Sequence, residues 1–366
     1  MSDRLIFHID VNSAYLSWSA AEKLKQGKTL DLREIPSIIG GDMASRHGVV
    51  LAKSIPAKVF GISTGEPVAH ALQKCPNLVL EPPDHKLYAQ YSQRLMALLM
   101  DFCPFIEQVS IDECYMDFTE YGHRYSTPAA AAEQIKDTVK NTLGFTVNIG
   151  ISSNKLLAKM ASDFQKPDKV HTLFPEEIEA KMWPLPVREL FMVGKASAAT
   201  LEKLEILTIG DLAHMNPRIL ESHMKKHGRL IWEFANGIDH SPVQTKDSEL
   251  KGVGNRTTLA QNAETSEDAK RALYALCRQV SSRLQKYGQY AGMVSTEIRY
   301  ASFTEVSHQR QLTAATADAQ TLYHNACLLF DELWNGEPIR LLGVRTSKLT
   351  DTPQPVQMTV FDYTTN

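Results

Sequence analysis

The sequence predicts an α+β fold divided among several domains, and three observations lead there. In the first 170 residues, short apolar runs mingle with amphipathic helical stretches, without the strict alternation of a parallel α/β sheet. Residues 175–238 carry short helical segments and no convincing strand. Residues 252–347 then read strand, helix, strand, strand, helix, strand, which is the split βαβ order. A length of 366 residues suits two to four domains.

Taken in order, residues 4–10 read as a strand, followed by apolar runs at Val49-Val50-Leu51-Ala52 and Leu78-Val79-Leu80. Leu87, Tyr91, Leu95, Leu98 and Leu99 recur at helical spacing and predict a helix over 84–102. Ile106 to Phe118 predicts two strands joined by a tight turn near Asp112. A helix over 128–142 opens on Pro128, whose fixed φ suits a first turn. Phe145 to Ile151 predicts a strand, and Ser152-Ser153-Asn154 caps a helix expected to run to about Lys166-Pro167. The polar stretch Asp239 to Glu249 has the composition of an interdomain linker. Beyond it, Ala269, Leu273, Leu276, Val280 and Leu284 share one helical face. Asp351 to Asn366 holds two prolines and little that would build a core, so it predicts a tail.

Composition narrows the class. No apolar run reaches the length of a bilayer span, so no membrane partner is expected. The start, Met1-Ser2-Asp3-Arg4, shows no charged-then-apolar leader. Five cysteines, none in a CxxC pair, argue against a disulfide framework or zinc cluster, and a cytoplasmic location is expected. Nothing in the chain demands more than a monomer. Net charge is −3, yet residues 251–310 hold nine Lys/Arg against five acids. That is either a solvated helix face or the footprint of phosphate-backbone binding.

The chemistry concentrates in two segments, Phe7-His8-Ile9-Asp10-Val11-Asn12 and Val109-Ser110-Ile111-Asp112-Glu113-Cys114. Each sets carboxylates at the end of an apolar run, where an unpaired charge is costly. No Arg or Lys lies within three residues of Asp10, Asp112 or Glu113. A divalent cation with hard oxygen ligands is therefore the expected partner, and magnesium, manganese or calcium suits it better than zinc. Three carboxylates can hold two such ions for a phosphoryl displacement. Asp112 and Glu113 alone would read as an exposed acidic turn. Lysines at Lys53 and Lys58, and at Lys155 and Lys159 on one helix face, are candidates for neutralising phosphates. Two further patterns are weaker. Gly40-Gly41-Asp42-Met43 is similar to a diguanylate cyclase signature but lacks its next acid, and reads as a loop. His223 and His227 have metal-ligand spacing without an adjoining Glu, and a basic helix with Lys225, Lys226 and Arg229 accounts for them better.

Four segments together resemble the Y-family translesion DNA polymerases of the bacterial polymerase IV group. They are Asp10-Val11-Asn12-Ser13-Ala14-Tyr15, Pro56-Ala57-Lys58-Val59-Phe60-Gly61, Ser110-Ile111-Asp112-Glu113, and Gly150 through Lys159. They stand in the family's order and approximate spacing, and the resemblance covers almost the whole chain.

The resemblance implies a multidomain right-hand polymerase. A palm with a mixed or antiparallel sheet would span 1–13 and 81–169, and small fingers 14–80. A helical thumb would span 170–238, a linker 239–250, a split βαβ little finger 251–350, and a clamp-binding tail 351–366. It implies primer extension from dNTPs on damaged templates, at low fidelity and without proofreading. Asp10, Asp112 and Glu113, with the carbonyl of Val11, would bind two Mg²⁺ ions, or Mn²⁺ in their place. The backbone at Ser13 and Ala14 would approach the triphosphate, Lys58 and Lys159 would contact it, and Tyr15 would be the steric gate. Residues 188–212 resemble a helix-hairpin-helix with Met192 at its usual first glycine. Gln357-Met358-Thr359-Val360-Phe361 resembles the sliding-clamp pentapeptide, with Gln357, Met358, Val360 and Phe361 as contacts. Primer-template DNA, dNTP and the bacterial clamp are thus the implied partners. Two departures stand out. Asn12 replaces a frequent Asp, and Ile55-Pro56-Ala57-Lys58 replaces Tyr-x-Ala-Arg, which implies triphosphate binding that is either weaker or served by another group such as Ser54 or Lys53. A nucleotidyl cyclase with a related palm and a DNA- and clamp-binding scaffold without activity are the alternatives.

Overall fold

The computed structural model of the chain describes residues 4–42, 48–245 and 249–353. These fall into two compact units, the first mainly residues up to 247 and the second mainly residues from 248, so that the division falls within the connector. Gln357, Met358, Val360 and Phe361 lie outside the described residues.

The first unit begins with β1 (Ile6–Val11), α1 (Ala14–Lys25), β2 (Ser37–Gly40), β3 (Val50–Lys53), α2 (Ile55–Val59), α3 (Val68–Lys74) and β4 (Val79–Glu81). It continues with α4 (His85–Met100), β5 (Ile106–Gln108), β6 (Glu113–Asp117), α5 (Pro128–Leu143), β7 (Val147–Ser152), α6 (Lys155–Asp163) and β8 (Val170–Thr172). A five-stranded sheet in the order β5-β6-β1-β7-β8 forms its centre. Every pairing is antiparallel except β7 with β8, so the sheet is mixed, as predicted.

β1 is covered on both faces, which is why it reads as nearly continuous apolar sequence. Phe7, Ile9 and Val11 enter one core with Tyr88, Tyr91, Leu95 and Leu99 of α4 and with Ile135 and Val139 of α5. Asp84 caps α4 by accepting from the N–H groups of Lys86 and Leu87. Thr127 caps α5 ahead of Pro128, and Gly144 closes it at φ 80°, a left-handed conformation that glycine adopts without penalty. The opposite face of β1 packs against α6. A Cβ on Gly150 would stand 2.0 Å from the Ala158 carbonyl oxygen, so only glycine lets α6 sit this close to β7.

Asn154 caps α6 by accepting from the N–H of Leu157, as expected. The helix stops at Asp163, short of the predicted end near Lys166-Pro167. Proline disfavours helix at the residue before it, and the next N–H groups are taken elsewhere. Asp168 N–H donates to Asn12 Oδ1, and Lys169 N–H to Asn148 Oδ1.

A separate three-stranded sheet, β3-β2-β4, has its own small core of Ile38, Val50, Ala57, Ile62, Val68, Ala71, Cys75 and Leu78. α1, by contrast, buries Leu16, Trp18 and Ala20 in the main core. The helical region comprises α7 (Ile178–Lys181), α8 (Lys195–Glu202), α9 (Ile209–His214), α10 (Pro217–Met224) and α11 (Lys226–Ala235). It shares a core with Leu156, Leu157 and Met160 of α6. The connector is anchored over its first residues. Asp239 accepts from the N–H of Leu156, Ser241 O accepts from Arg4, and Gln244 N–H donates to Glu107.

The second unit contains β9 (Gly252–Ala263), α12 (Ser266–Lys286), β10 (Tyr290–Tyr300), β11 (Glu305–Thr316), α13 (Ala319–Leu333) and β12 (Ile339–Thr350). Its sheet runs β11-β10-β12-β9, antiparallel throughout. β9 and β10 are therefore parallel with β12 between them, and β11 and β12 are parallel with β10 between them. These are two interlocked split βαβ units. The predicted face of α12, Ala269, Leu273, Leu276, Val280 and Leu284, is fully buried. No described helix is long and apolar enough to cross a membrane.

Candidate active site

β1 runs into α1 through Asn12 and Ser13. Ser13 takes a left-handed backbone, φ 48° and ψ 51°, and makes no side-chain cap. The first N–H groups of α1 thus have no intrahelical partner, and such a helix end favours an anion. Ser13, Ala14 and Tyr15 line a cleft of about 890 Å³ together with Asp10, Val11, Asp112, Lys58 and Lys166.

The register of the sheet gathers the acids. Asp10 and Glu113 are direct cross-strand partners, and Val11 N–H donates to the Asp112 carbonyl at 3.0 Å. Asp10 and Asp112 face the cleft. Glu113 is held from α6 by Lys159, at 2.9 Å. Lys166 pairs with Asp10 and also with Asp163 at 2.7 Å. Ser110 donates to Asp112 Oδ1 at 2.6 Å. Asp10 and Glu113 therefore have basic partners, supplied by distant chain, whereas Asp112 is held by the neighbouring Ser110 hydroxyl.

Beneath Glu113 lies His8, fully buried. Ser162 Oγ gives its proton to the Lys159 carbonyl, so it accepts from His8 Nδ1 at 2.8 Å. His8 Nε2 is 3.3 Å from Glu113 Oε2 without an aligned hydrogen bond, an electrostatic contact. Burial lowers the His8 pKa. The His8 contact and the Lys159 ammonium hold the Glu113 carboxyl down at about 2.

The donors at this centre are all oxygen, which fits a hard divalent cation. Among the described residues no three His, Cys, Asp or Glu side chains gather closely enough to enclose an ion as they stand. Lysine ammonium groups balance Asp10 and Glu113 instead.

The predicted phosphate contacts separate into two groups. Lys58 lines the cleft, as does Ile55, which is 51% exposed. Ser54 cannot compensate for Ile55: its hydroxyl is buried and donates to the Ile35 carbonyl. Lys53 reaches the cleft while donating to the Ile62 carbonyl at 2.7 Å, and burial, then Lys58, lowers its pKa. Lys155 and Lys159 point to Glu107 and Glu113 instead, and neither lines the cleft. Lys166, expected at a helix end, does line it. Its signal was a lysine directly before proline, just past a capped helix.

Tyr15 lies face to face with Tyr88, ring centroids 4.4 Å apart and planes within 6°. Burial, then Asp112, raises its phenol pKa. Asn12 lines the cleft with its side chain tied into the protein. It is buried, accepting from Thr146 at 2.9 Å and donating to Asn148 at 3.1 Å. His223 and His227 fall on successive helices, α10 and α11, and His227 bonds Ser197.

In the helical region, Met192 itself takes a positive φ, 71°, at the position where the hairpin pattern has glycine. Arg188, Gly194 and Lys195 line a shallow recess beside it. In the second unit, the open face of the sheet presents Asn255, Arg256, His308 and Arg345. Part of the basic excess is internally paired there, Arg256 with Glu297 at 3.1 Å and Arg310 with Glu332 at 2.6 Å.

Comparison with known proteins fits this geometry. The impB/mucB/samB family profile matches residues 9–163, and the profile of that family's C-terminal domain matches 250–360. DNA polymerase IV of Clostridium acetobutylicum is 48% identical, over 99% of this chain and 91% of that protein. The chain belongs to the bacterial DNA polymerase IV group of the Y family. DNA polymerase IV of Clostridium kluyveri is 34% identical, over 98% of this chain and 88% of its own. A solved Y-family DNA polymerase chimera shares the fold at a TM-score of 0.81 and 21% identity, covering 95% of this chain and all of its own. The right-hand polymerase architecture expected from the sequence is thus the architecture of the family to which the chain belongs.

Proposed function

We propose that the chain is a template-directed DNA polymerase that extends a primer across damaged templates, without proofreading. The observation that carries this reading is one cleft joining Asp10, Asp112, the open N-terminus of α1 and the stacked Tyr15. Relatives matched over nearly the whole chain disfavour the cyclase and scaffold readings, since a cyclase needs neither the helical region nor the second unit.

Divalent metal ions are the cofactors of the family. We assign Asp10, Asp112, Glu113 and the Val11 carbonyl to two Mg²⁺ ions, with Mn²⁺ able to substitute. Bound there, such ions would supply activation of the primer 3′-hydroxyl and charge stabilisation at the departing pyrophosphate. The protein's own groups do the rest by position and charge. The N–H groups at Ser13 and Ala14 meet the triphosphate, and the Lys58 and Lys166 ammonium groups neutralise its oxygens as point charges. Lys159 holds Glu113 in place from α6 rather than reaching the nucleotide. Tyr15, braced by Tyr88, closes the space that a ribose 2′-hydroxyl would need.

The five-stranded sheet serves as palm, the three-stranded sheet as fingers, the helical region as thumb, and the second unit as little finger. The recess at Arg188 and Lys195 and the open face at Arg256 and Arg345 would follow the DNA backbone. The peptide from Gln357 to Phe361 would dock on a sliding clamp. The chain would work as a monomer in the cytoplasm.

Primer extension with Mg²⁺ tests the reading. Asp112→Asn should lower the rate by about 10³-fold or more, since each lost order of magnitude is about 1.4 kcal/mol of transition-state stabilisation. Undiminished extension would overturn the site.

A further inference from the structure

Asn12 departs from the frequent acid of its motif, yet its side-chain oxygen takes two donors and its amide nitrogen gives one bond. Its Oδ1 accepts from the Thr146 hydroxyl at 2.9 Å and from the Asp168 N–H at 3.0 Å. Its Nδ2 donates to Asn148 Oδ1 at 3.1 Å. The orientation of Asn148 is fixed in turn, because its Nδ2 donates to the carbonyls of Ser162 at 3.0 Å and Gln165 at 2.7 Å. Asn148 must therefore offer its oxygen to residue 12, and residue 12 must answer with a donor. An amide does; a carboxylate would set oxygen against oxygen in a buried site. Both asparagines are buried, Asn148 completely.

What this pair holds is the turn after α6. Asn12 takes the Asp168 N–H, and Asn148 takes the Lys169 N–H at 3.3 Å and both carbonyls upstream. The Asp168 carboxylate is tied from the far side by Lys140 at 2.7 Å. Lys166 lies inside this clamp and lines the cleft.

We infer that Asn12 and Asn148 are positioning residues that fix Lys166 at the nucleotide end of the cleft, and that residue 12 must be an amide for this to hold. The inference rests on the polymerase reading for the role of Lys166. It makes the apparent loss of a charge at position 12 a requirement of this chain's own partner at position 148.

Single-nucleotide incorporation and hydrogen exchange test it together. Asn12→Asp should raise the KM for dNTP about 10- to 100-fold with kcat little changed, the scale of a displaced positioning group. The exchange of residues 164–169 should quicken. In a Lys166→Ala background the same change should add nothing further to KM, because the two act through one group. Should Asn12→Asp not fold, Asn12→Ser is too short to bridge Asp168 and Asn148 and carries the same readouts. An unchanged KM, or an equal rise with and without Lys166, overturns the inference. A wild-type protein that extends no primer refutes the polymerase reading, while hydrogen exchange still decides the clamp.

Discussion

Tyr15 can act as a gate only if its ring cannot swing aside, and Tyr88 supplies that constraint by face-to-face packing from a fully buried position. Tyr15→Ala should therefore raise ribonucleotide incorporation relative to deoxyribonucleotide. Relief of a tight contact worth about 1–3 kcal/mol corresponds to about 5- to 150-fold. A ratio unchanged in primer extension would remove the gate. At this scale the acids were legible from sequence, because Asp10, Asp112 and Glu113 interrupt or end apolar runs where charge is out of place. Lys166 and Asn12 were not. Lys166 borders a helix end, and a lone lysine there looks like solvated surface. Asn12 takes its meaning from Asn148, 136 residues away, a partner that no local window contains.

Among the elements, amphipathic spacing marked α4 and α5 within a few residues of their ends and the buried face of α12. α6 was overextended, because the groups that stop it belong to another strand. The hairpin at Met192 shows a similar limit. Sequence registered the missing glycine but not that Met192 would adopt φ 71° itself. A left-handed side chain costs about 1–2 kcal/mol, and glycine returns about 0.5–1 kcal/mol of that as chain entropy. Met192 is 50% exposed, so little packing is at stake. Met192→Gly should leave thermal stability unchanged or raise it by about 1 kcal/mol. A clear loss of melting temperature would show that the thioether contributes packing the backbone argument omits.

For the whole molecule, the split βαβ order was legible in the second unit, but the interposition of β12 between β9 and β10 was not, since strand order is set by long-range pairing. The C-terminal peptide was legible only as a motif. Deleting residues 356–366 should abolish stimulation by a sliding clamp and spare basal extension. Equal stimulation of the truncated chain would rule the peptide out.

Among the described residues, eight buried side chains form the small core beneath the three-stranded sheet, against thirty in the core of β1, α1, α4 and α5, to which β2 and β3 give only Ile39 and Ala52. Resistance to opening follows buried apolar contact, so this region is the least costly part of the first unit to loosen as a cooperative piece. Ile55 and Lys58 ride on it, whereas Asp10 and Tyr15 are rooted in the larger core. One wall of the cleft can thus breathe while the reacting end stays rigid, an asymmetry suited to an enzyme that must admit misshapen templates without losing its chemistry.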